Sequence, residues 1–143
     1  MKRFTQLVCL LLVCSMILAV PAFAAESTTR ASNYFGETSC YLWKTSSTEF
    51  QVWFDVTAIK TMEELGTSVI IVQRSSDTEN WENMKTYYKE DYGQMICKNT
   101  VAHASYVTYT ATPGYYYRAY VKFYAKLDNG TAVYPDYTSY IKM

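Results

Sequence analysis

Polar and apolar positions fall into three regimes along the chain. Leu7 to Val20 is an almost unbroken apolar run of 14 residues, Ala25 to Asn33 has no apolar periodicity, and later segments place apolar residues at every second position. Period two marks a strand with one buried face. It is clearest at Phe50, Val52, Phe54 and Val56, which alternate with Gln51, Trp53, Asp55 and Thr57, so Trp53 is set on the face opposite the core. A preceding strand is predicted at Ser39 to Lys44, where Cys40 and Leu42 alternate with Tyr41 and Trp43 and either pair can face inward.

Further along, Thr61 and Glu64 have the spacing of a capping box and Gly66 can end a turn, so a single helical turn is predicted between two strands. Glu63 and Glu64 are then first-turn acids rather than an acid/base pair. Val69 to Val72 is apolar on both parities, as in a central strand, and the Ser75 to Asn80 turn cluster leads into a strand at Trp81 to Tyr87. Lys89 to His103 lacks a pattern and is predicted as a long connection. Ser105 to Ala111 reads as a strand, turned by Thr112-Pro113-Gly114. Tyr115 to Lys126 is the longest alternating run, with Tyr117, Ala119, Val121, Phe123 and Ala125 on one face. Tyr116, Arg118, Tyr120, Lys122, Tyr124 and Lys126 occupy the other. Asp128-Asn129-Gly130 signals a tight turn, and a closing strand is predicted at Tyr137 to Lys142, with Pro135 at an edge or irregular entry. About seven short strands and almost no helix indicate an all-β, antiparallel, two-sheet sandwich.

The N-terminal regime has the anatomy of a signal peptide. Lys2 and Arg3 precede the apolar run, and Ala22 and Ala24 place small residues before a cleavage site, so residues 1–24 are expected to be removed, 25–33 to form a flexible leader and 34–143 to form the domain. A run of 14 residues is shorter than the roughly 20 that cross a bilayer core, so no stable membrane anchor is expected. Cys9 and Cys14 each follow Val, where a lipid-modified cysteine prefers a small residue. The expected location is therefore outside the cell.

Composition narrows the functions. Of 13 basic residues, cleavage removes Lys2 and Arg3, leaving 11 against 13 acidic ones, and no basic stripe that would track a nucleic-acid backbone. All 15 tyrosines and all three tryptophans lie after residue 24. Both side chains join a large apolar body to a polar tip and favour strands and interfaces.

The stretch from Ser105 through Pro113-Gly114 to Val121 resembles the fifth strand, turn and sixth strand of fibronectin type III and related immunoglobulin-like modules, and Ile70 to Asp77 with Trp81 is similar to a hairpin of the same modules. The resemblance implies a fibronectin-like sandwich in which the Tyr117 hydroxyl bonds back to the strand-connecting backbone. Phe50 to Ala58, Met62 to Gly66, Tyr88 to Tyr92, Cys97 to Thr100 and the Tyr-rich strand also resemble a domain-of-unknown-function family of small secreted proteins from Gram-positive bacteria. That likeness implies secretion and no activity, and it makes Asn129-Gly130-Thr131 a turn rather than a glycosylation acceptor. Within the fibronectin-like layout Cys40 and Cys97 approach the same end of the sandwich. An oxidising compartment favours a Cys40–Cys97 disulfide, while a free cysteine also packs well as a small apolar residue.

Catalytic chemistry is poorly supplied. His103 is the one histidine, and a nucleophile relay would need it to meet both a Ser or Cys and a carboxylate. Two mature cysteines and one histidine lack zinc-site spacing, and Asp77, Glu79 and Asp128 lack the acidic spacing of a calcium loop. No catalytic residue, metal or cofactor is assigned. The expected protein is a monomeric, non-enzymatic binding module for an extracellular protein or glycan; the alternatives are a carbohydrate-binding module and, behind it, a small secreted enzyme. The candidate surface is the stripe of Tyr116, Arg118, Tyr120, Lys122, Tyr124 and Lys126, which can meet sugar rings or an acidic partner. The same stripe is also what cross-strand Tyr and Lys pairs build on an ordinary solvated sheet.

Overall fold

A computed structural model describes residues 33–128 and 130–143. The expected signal peptide and nearly all of the leader lie outside the described residues, as does Asn129 of the tight turn. The described residues form seven antiparallel strands: β1 (Phe35–Lys44), β2 (Glu49–Ser75), β3 (Glu82–Tyr88), β4 (Ile96–Thr110), β5 (Tyr116–Leu127), β6 (Gly130–Tyr137) and β7 (Ile141–Lys142). The one helical piece among the described residues is a 3-10 turn at Gly93–Met95.

All seven strands belong to a single hydrogen-bonded sheet rather than two separate ones, and β2 is the reason. Over its 27 residues it pairs with β1 and β4 along its first half and with β5, β3 and the start of β4 along its second. The β4 register shifts between Thr57 and Met62, and the β5 register between Thr67 and Val69. Such bulges bend a strand and add twist. The sheet accordingly curls around its core as an open half-barrel, with Phe50 of the first half 5.4 Å from Tyr117 of β5 between ring centroids.

The inward positions are those that alternation dictates. Phe50, Val52, Phe54 and Val56 on β2 and Tyr117, Ala119, Val121, Phe123 and Ala125 on β5 are fully buried. The β1 ambiguity resolves with Cys40 and Leu42 against the core and Tyr41 and Trp43 exposed. Tyr117 caps this core. Its hydroxyl accepts from the Thr112 amide at 2.9 Å and donates to the Thr112 carbonyl at 3.2 Å, clamping the turn before β5.

Four sequence expectations are corrected. Thr61 to Gly66 is not a helical turn but the middle of β2: Glu64 pairs with Lys98 on one side and Lys126 on the other, and Leu65 with Cys97 and Ala125. Two flanking strands use the backbone groups that a helix would have used internally. Gly66 serves a different purpose from a helix end, since its φ is +154° and a Cβ there would run into the Met95 carbonyl oxygen. The long connection ends earlier than expected, because β4 begins at Ile96 and recruits residues through His103 into the β2 ladder. The strand that closes the last hairpin is β6 at Gly130–Tyr137, directly after the turn; it places Pro135 opposite Lys122 on a strand whose one partner among the described residues is β5, and leaves Ile141–Lys142 as a two-residue piece beside Tyr116 and Tyr117.

The fourth correction concerns the cysteines. Both Cys40 and Cys97 are free thiols. Cys40 is opposite Phe54 on the β1 side of β2, and Cys97 is opposite Leu65 on the β4 side. Their β2 partners, Phe54 and Leu65, lie on either side of the register shift between Thr57 and Met62, so the two thiols belong to different halves of the sheet.

Candidate functional site

The six residues of the expected stripe do share the outer face of β5, where all are partly buried. What alternation brings together, neighbouring strands then engage. Arg118 lies over Trp81 at 4.3 Å and Tyr137 at 4.7 Å, and its Nε donates to Gln73 Oε1 at 2.8 Å. Tyr120 packs on Tyr137 with centroids 4.9 Å apart, and burial followed by the Tyr137 phenol raises its hydroxyl pKa. Lys126 approaches Glu63 at 3.6 Å. Tyr124 lies under the Lys89 ammonium at 3.8 Å, and Tyr116 meets Tyr140 edge-on and Lys142 at 5.1 Å. Only Lys122 has a loose association, 5.8 Å from the Tyr120 ring.

Lys89 also donates to Glu64 at 3.2 Å. Burial opposes its charge, but the hydrogen bonds to Glu64 and Tyr124 outweigh that and raise its pKa; burial likewise opposes the Glu64 carboxylate, and Lys89, Lys126 and Lys98 lower its pKa regardless. These cations and rings hold one another. The face resembles a braced sheet surface more than one waiting for a partner.

A different surface carries rings that pack on one another but have no cation over them among the described residues. On the outer face of β1, β2 and β4, register places Tyr41, Trp53 and Tyr106 directly across from one another in one row. Tyr41 and Trp53 have ring planes within 2° of parallel and centroids 6.3 Å apart; Trp53 and Tyr106 follow at 4.7 Å with a 36° tilt. Tyr41 is 47% exposed and Tyr106 40%. The Trp53 indole N–H donates to Gln51 Oε1 at 2.9 Å, which fixes the central ring's edge.

Rows of polar groups run along both sides. One contains Trp43, Gln51 and Thr108; the other contains Ser39, Asp55 and Ala104, followed by Glu37, Thr57 and Ala102 near the β1 bulge. A shallow depression of about 320 Å³ opens beside the aromatic row, lined by Glu37, Thr38, Ser39, Asp55 and Thr57. Thr57 Oγ1 accepts from the Glu37 amide at 2.9 Å. Sequence periodicity assigned Trp53 to the outer face, but it left the β1 faces open and contained no register to bring Tyr41 and Tyr106 alongside.

His103 sits within β4 rather than in a loop, its Nε2 donating to the Gln94 carbonyl at 2.8 Å and its ring edge-on to Phe54 at 5.5 Å. It is held as a structural side chain. Among the described residues no three His, Cys, Asp or Glu side chains gather as a metal site, and no helix is long and apolar enough to cross a membrane.

No family model matches the chain, so the likeness to a secreted uncharacterised family remains one of motifs. No curated protein matches it either. Among solved structures, the sporulation control protein Spo0M from Bacillus subtilis is similar over 71% of this chain and 47% of its own, with a TM-score of 0.42 and 10% identity. This chain thus spans about half the length of that protein. A protein from Archaeoglobus fulgidus is similar over 76% of this chain and 97% of its own, with a TM-score of 0.37 and 7% identity. Values this low establish neither a common fold nor a common activity.

Proposed function

We propose that the protein is a secreted, non-catalytic binding module for an extracellular protein or glycan, and that its working face is the outer surface of β1, β2 and β4. The observation that carries this reading is the row Tyr41, Trp53 and Tyr106, which places three aromatic side chains side by side on an exposed sheet face while the core lies on the other. Large rings in such a position contribute contact area at little conformational cost. The stripe of Tyr116, Arg118, Tyr120, Lys122, Tyr124 and Lys126 is the weaker candidate, since most of its groups already have partners within the sheet.

The architecture supports an immunoglobulin-like reading of the module. β1 and β4 flank the first half of β2, β3 and β5 flank the second, and Tyr117 ties the turn ahead of β5. In that reading two sandwich sheets stay joined because β2 passes from one to the other without a break.

The test replaces Tyr41 and Tyr106 together with Thr, which keeps strand preference and deletes two rings. Screening against peptidoglycan, polysaccharides and purified extracellular proteins should reveal a ligand whose binding the double variant loses while its thermal melt is retained. Binding that survives this change but disappears on Tyr120→Thr with Tyr124→Thr would move the working face to β5 and sink the assignment.

A further inference from the structure

The β1–β2–β4 face combines two chemistries that one class of ligand needs together. We infer that it is a binding site for a neutral saccharide, with the sugar's C–H face on the Tyr41–Trp53–Tyr106 row and its hydroxyls at the Asp55 edge. This rests on the proposed binding face and names its ligand class.

A pyranose ring presents apolar C–H groups on its flat faces and hydroxyls around its rim. The flat face suits an aromatic ring, and each hydroxyl needs a hydrogen-bond partner if it is taken from water. Here both halves are adjacent. Asp55 follows Trp53 by two positions on β2, so both project from the same face about 7 Å apart along the strand. Its carboxylate has no hydrogen bond or ion pair among the described residues, and Ser39 lies across from it on β1. Thr57 and Glu37 extend the polar edge, and the depression they line with Asp55 is at the small end of the range of ligand sites, about 300–1,000 Å³. Ala104 and Ala102, the β4 partners of Asp55 and Thr57, are too small to cover it.

Charge decides against other occupants. The rows from Trp43 to Glu37 contain two carboxylates and no lysine or arginine, so an acidic polysaccharide or phosphate polymer would be repelled. An apolar peptide would fill the ring row but bury Asp55 against nothing that pairs with it. Sugar hydroxyls can donate to that carboxylate, and Gln51 and Thr108 on the far side of the rings offer further partners without charge. Trp43, 60% exposed beside Gln51, would lengthen the platform for a second sugar unit.

The experiment is affinity electrophoresis of the purified protein in gels with soluble β-glucan, xylan, mannan or an N-acetylglucosamine polymer, with tryptophan fluorescence titrations using the matching oligosaccharides. Alginate and a lysine-rich peptide serve as charged comparisons, and thermal melts establish that each variant folds. Retardation by at least one neutral polysaccharide is expected. Tyr41→Ala and Tyr106→Ala should each weaken it about tenfold, and Asp55→Ala about fivefold. Tyr137→Ala, on the other half of the sheet, should leave it unchanged. A wild-type protein that no neutral polysaccharide retards, or retardation indifferent to Tyr41 and Tyr106, overturns the inference. If the lysine-rich peptide alone binds, and does so through Tyr41 and Tyr106, the saccharide assignment fails while the binding face stands. If no ligand of any class depends on these rings, both fail.

Discussion

Removing one oxygen atom from Tyr117 tests the turn that organises β5. Tyr117→Phe keeps the ring, and so keeps its packing against Phe50 at 5.4 Å and Tyr109 at 5.8 Å, while deleting the hydroxyl that links to both the N–H and the C=O of Thr112. No cavity larger than a single oxygen is made. A typical intramolecular hydrogen bond contributes about 0.5–1.5 kcal/mol net, so two give about 1–3 kcal/mol. Thr112 is itself exposed, which lets water replace part of what its backbone loses and places the expected cost at about 1–2 kcal/mol. For a domain of this size that corresponds to a melting temperature lower by roughly 4–10 °C. Urea unfolding followed by tryptophan fluorescence should show a lower midpoint at unchanged slope, since the area exposed on unfolding is nearly the same. Tyr87→Phe is the internal comparison, because its hydroxyl makes a single bond, to the Thr108 carbonyl at 2.7 Å. A Tyr117→Phe protein within about 0.3 kcal/mol of wild type would show that the hydroxyl adds nothing beyond the ring.

Thr67 is fully buried and its hydroxyl has no partner among the described residues, so Thr67→Val, nearly the same in shape, should stabilise the fold by about 1–2 kcal/mol in the same urea assay; a destabilised variant would mean that the hydroxyl is satisfied after all. The Asp77 carboxylate accepts from the Asn80 and Glu79 amides, the Asn80 side chain and the Ser75 hydroxyl, which hold its pKa well below the usual carboxylate range. Its contribution is therefore present above the unfolded value near about 3.9 and is lost as pH falls below that toward the folded value, and Asp77→Asn should flatten the acid limb of a stability-against-pH curve. Desolvation, with Asp136 adding to it, pushes the Cys40 thiol up to about 12, so iodoacetamide at pH 8 should leave Cys40 unlabelled in the folded protein by peptide mass mapping, and denatured, unreduced protein should show both Cys40 and Cys97 as thiols.

β5 was fully legible because its answer is local. Every second residue from Tyr117 to Ala125 is buried, so a period of two assigns both faces without knowledge of any neighbour. The Ser75 to Asn80 turn was legible for the same reason, with Asp77 and Ser75 side chains folding the backbone around themselves. Thr61 to Gly66 was misread because its local signals are those of a helix end, whereas the deciding interactions come from Lys98 and Cys97 on one side and Ala125 and Lys126 on the other. A weak helical preference gives way when two ladders compete for the same amides. The aromatic row was hidden by the same non-locality. Tyr41, Trp53 and Tyr106 are separated by 12 and 53 positions, and slipping either pairing by one residue would turn a ring to the wrong face.

The half-barrel also explains why the two outer faces differ in what they can do. β5 has partners on both sides over most of its length, β2 on one and β6 or β7 on the other, so its outward side chains meet long residues from each neighbour and close into pairs such as Arg118 with Gln73, Trp81 and Tyr137. The β1–β2–β4 face has three strands, and Ser39, Ala104 and Thr108 beside the rings are short side chains that cannot fold over them, while Gln51 holds the indole edge of Trp53. Trp53 nonetheless stands on a rigid base, because Val52 and Phe54 on either side of it are fully buried and Gln51 holds its indole N–H. A ligand that stacks there meets rings already placed and orders little of the protein on arrival, which is the condition under which a small, flat contact area can still yield measurable affinity.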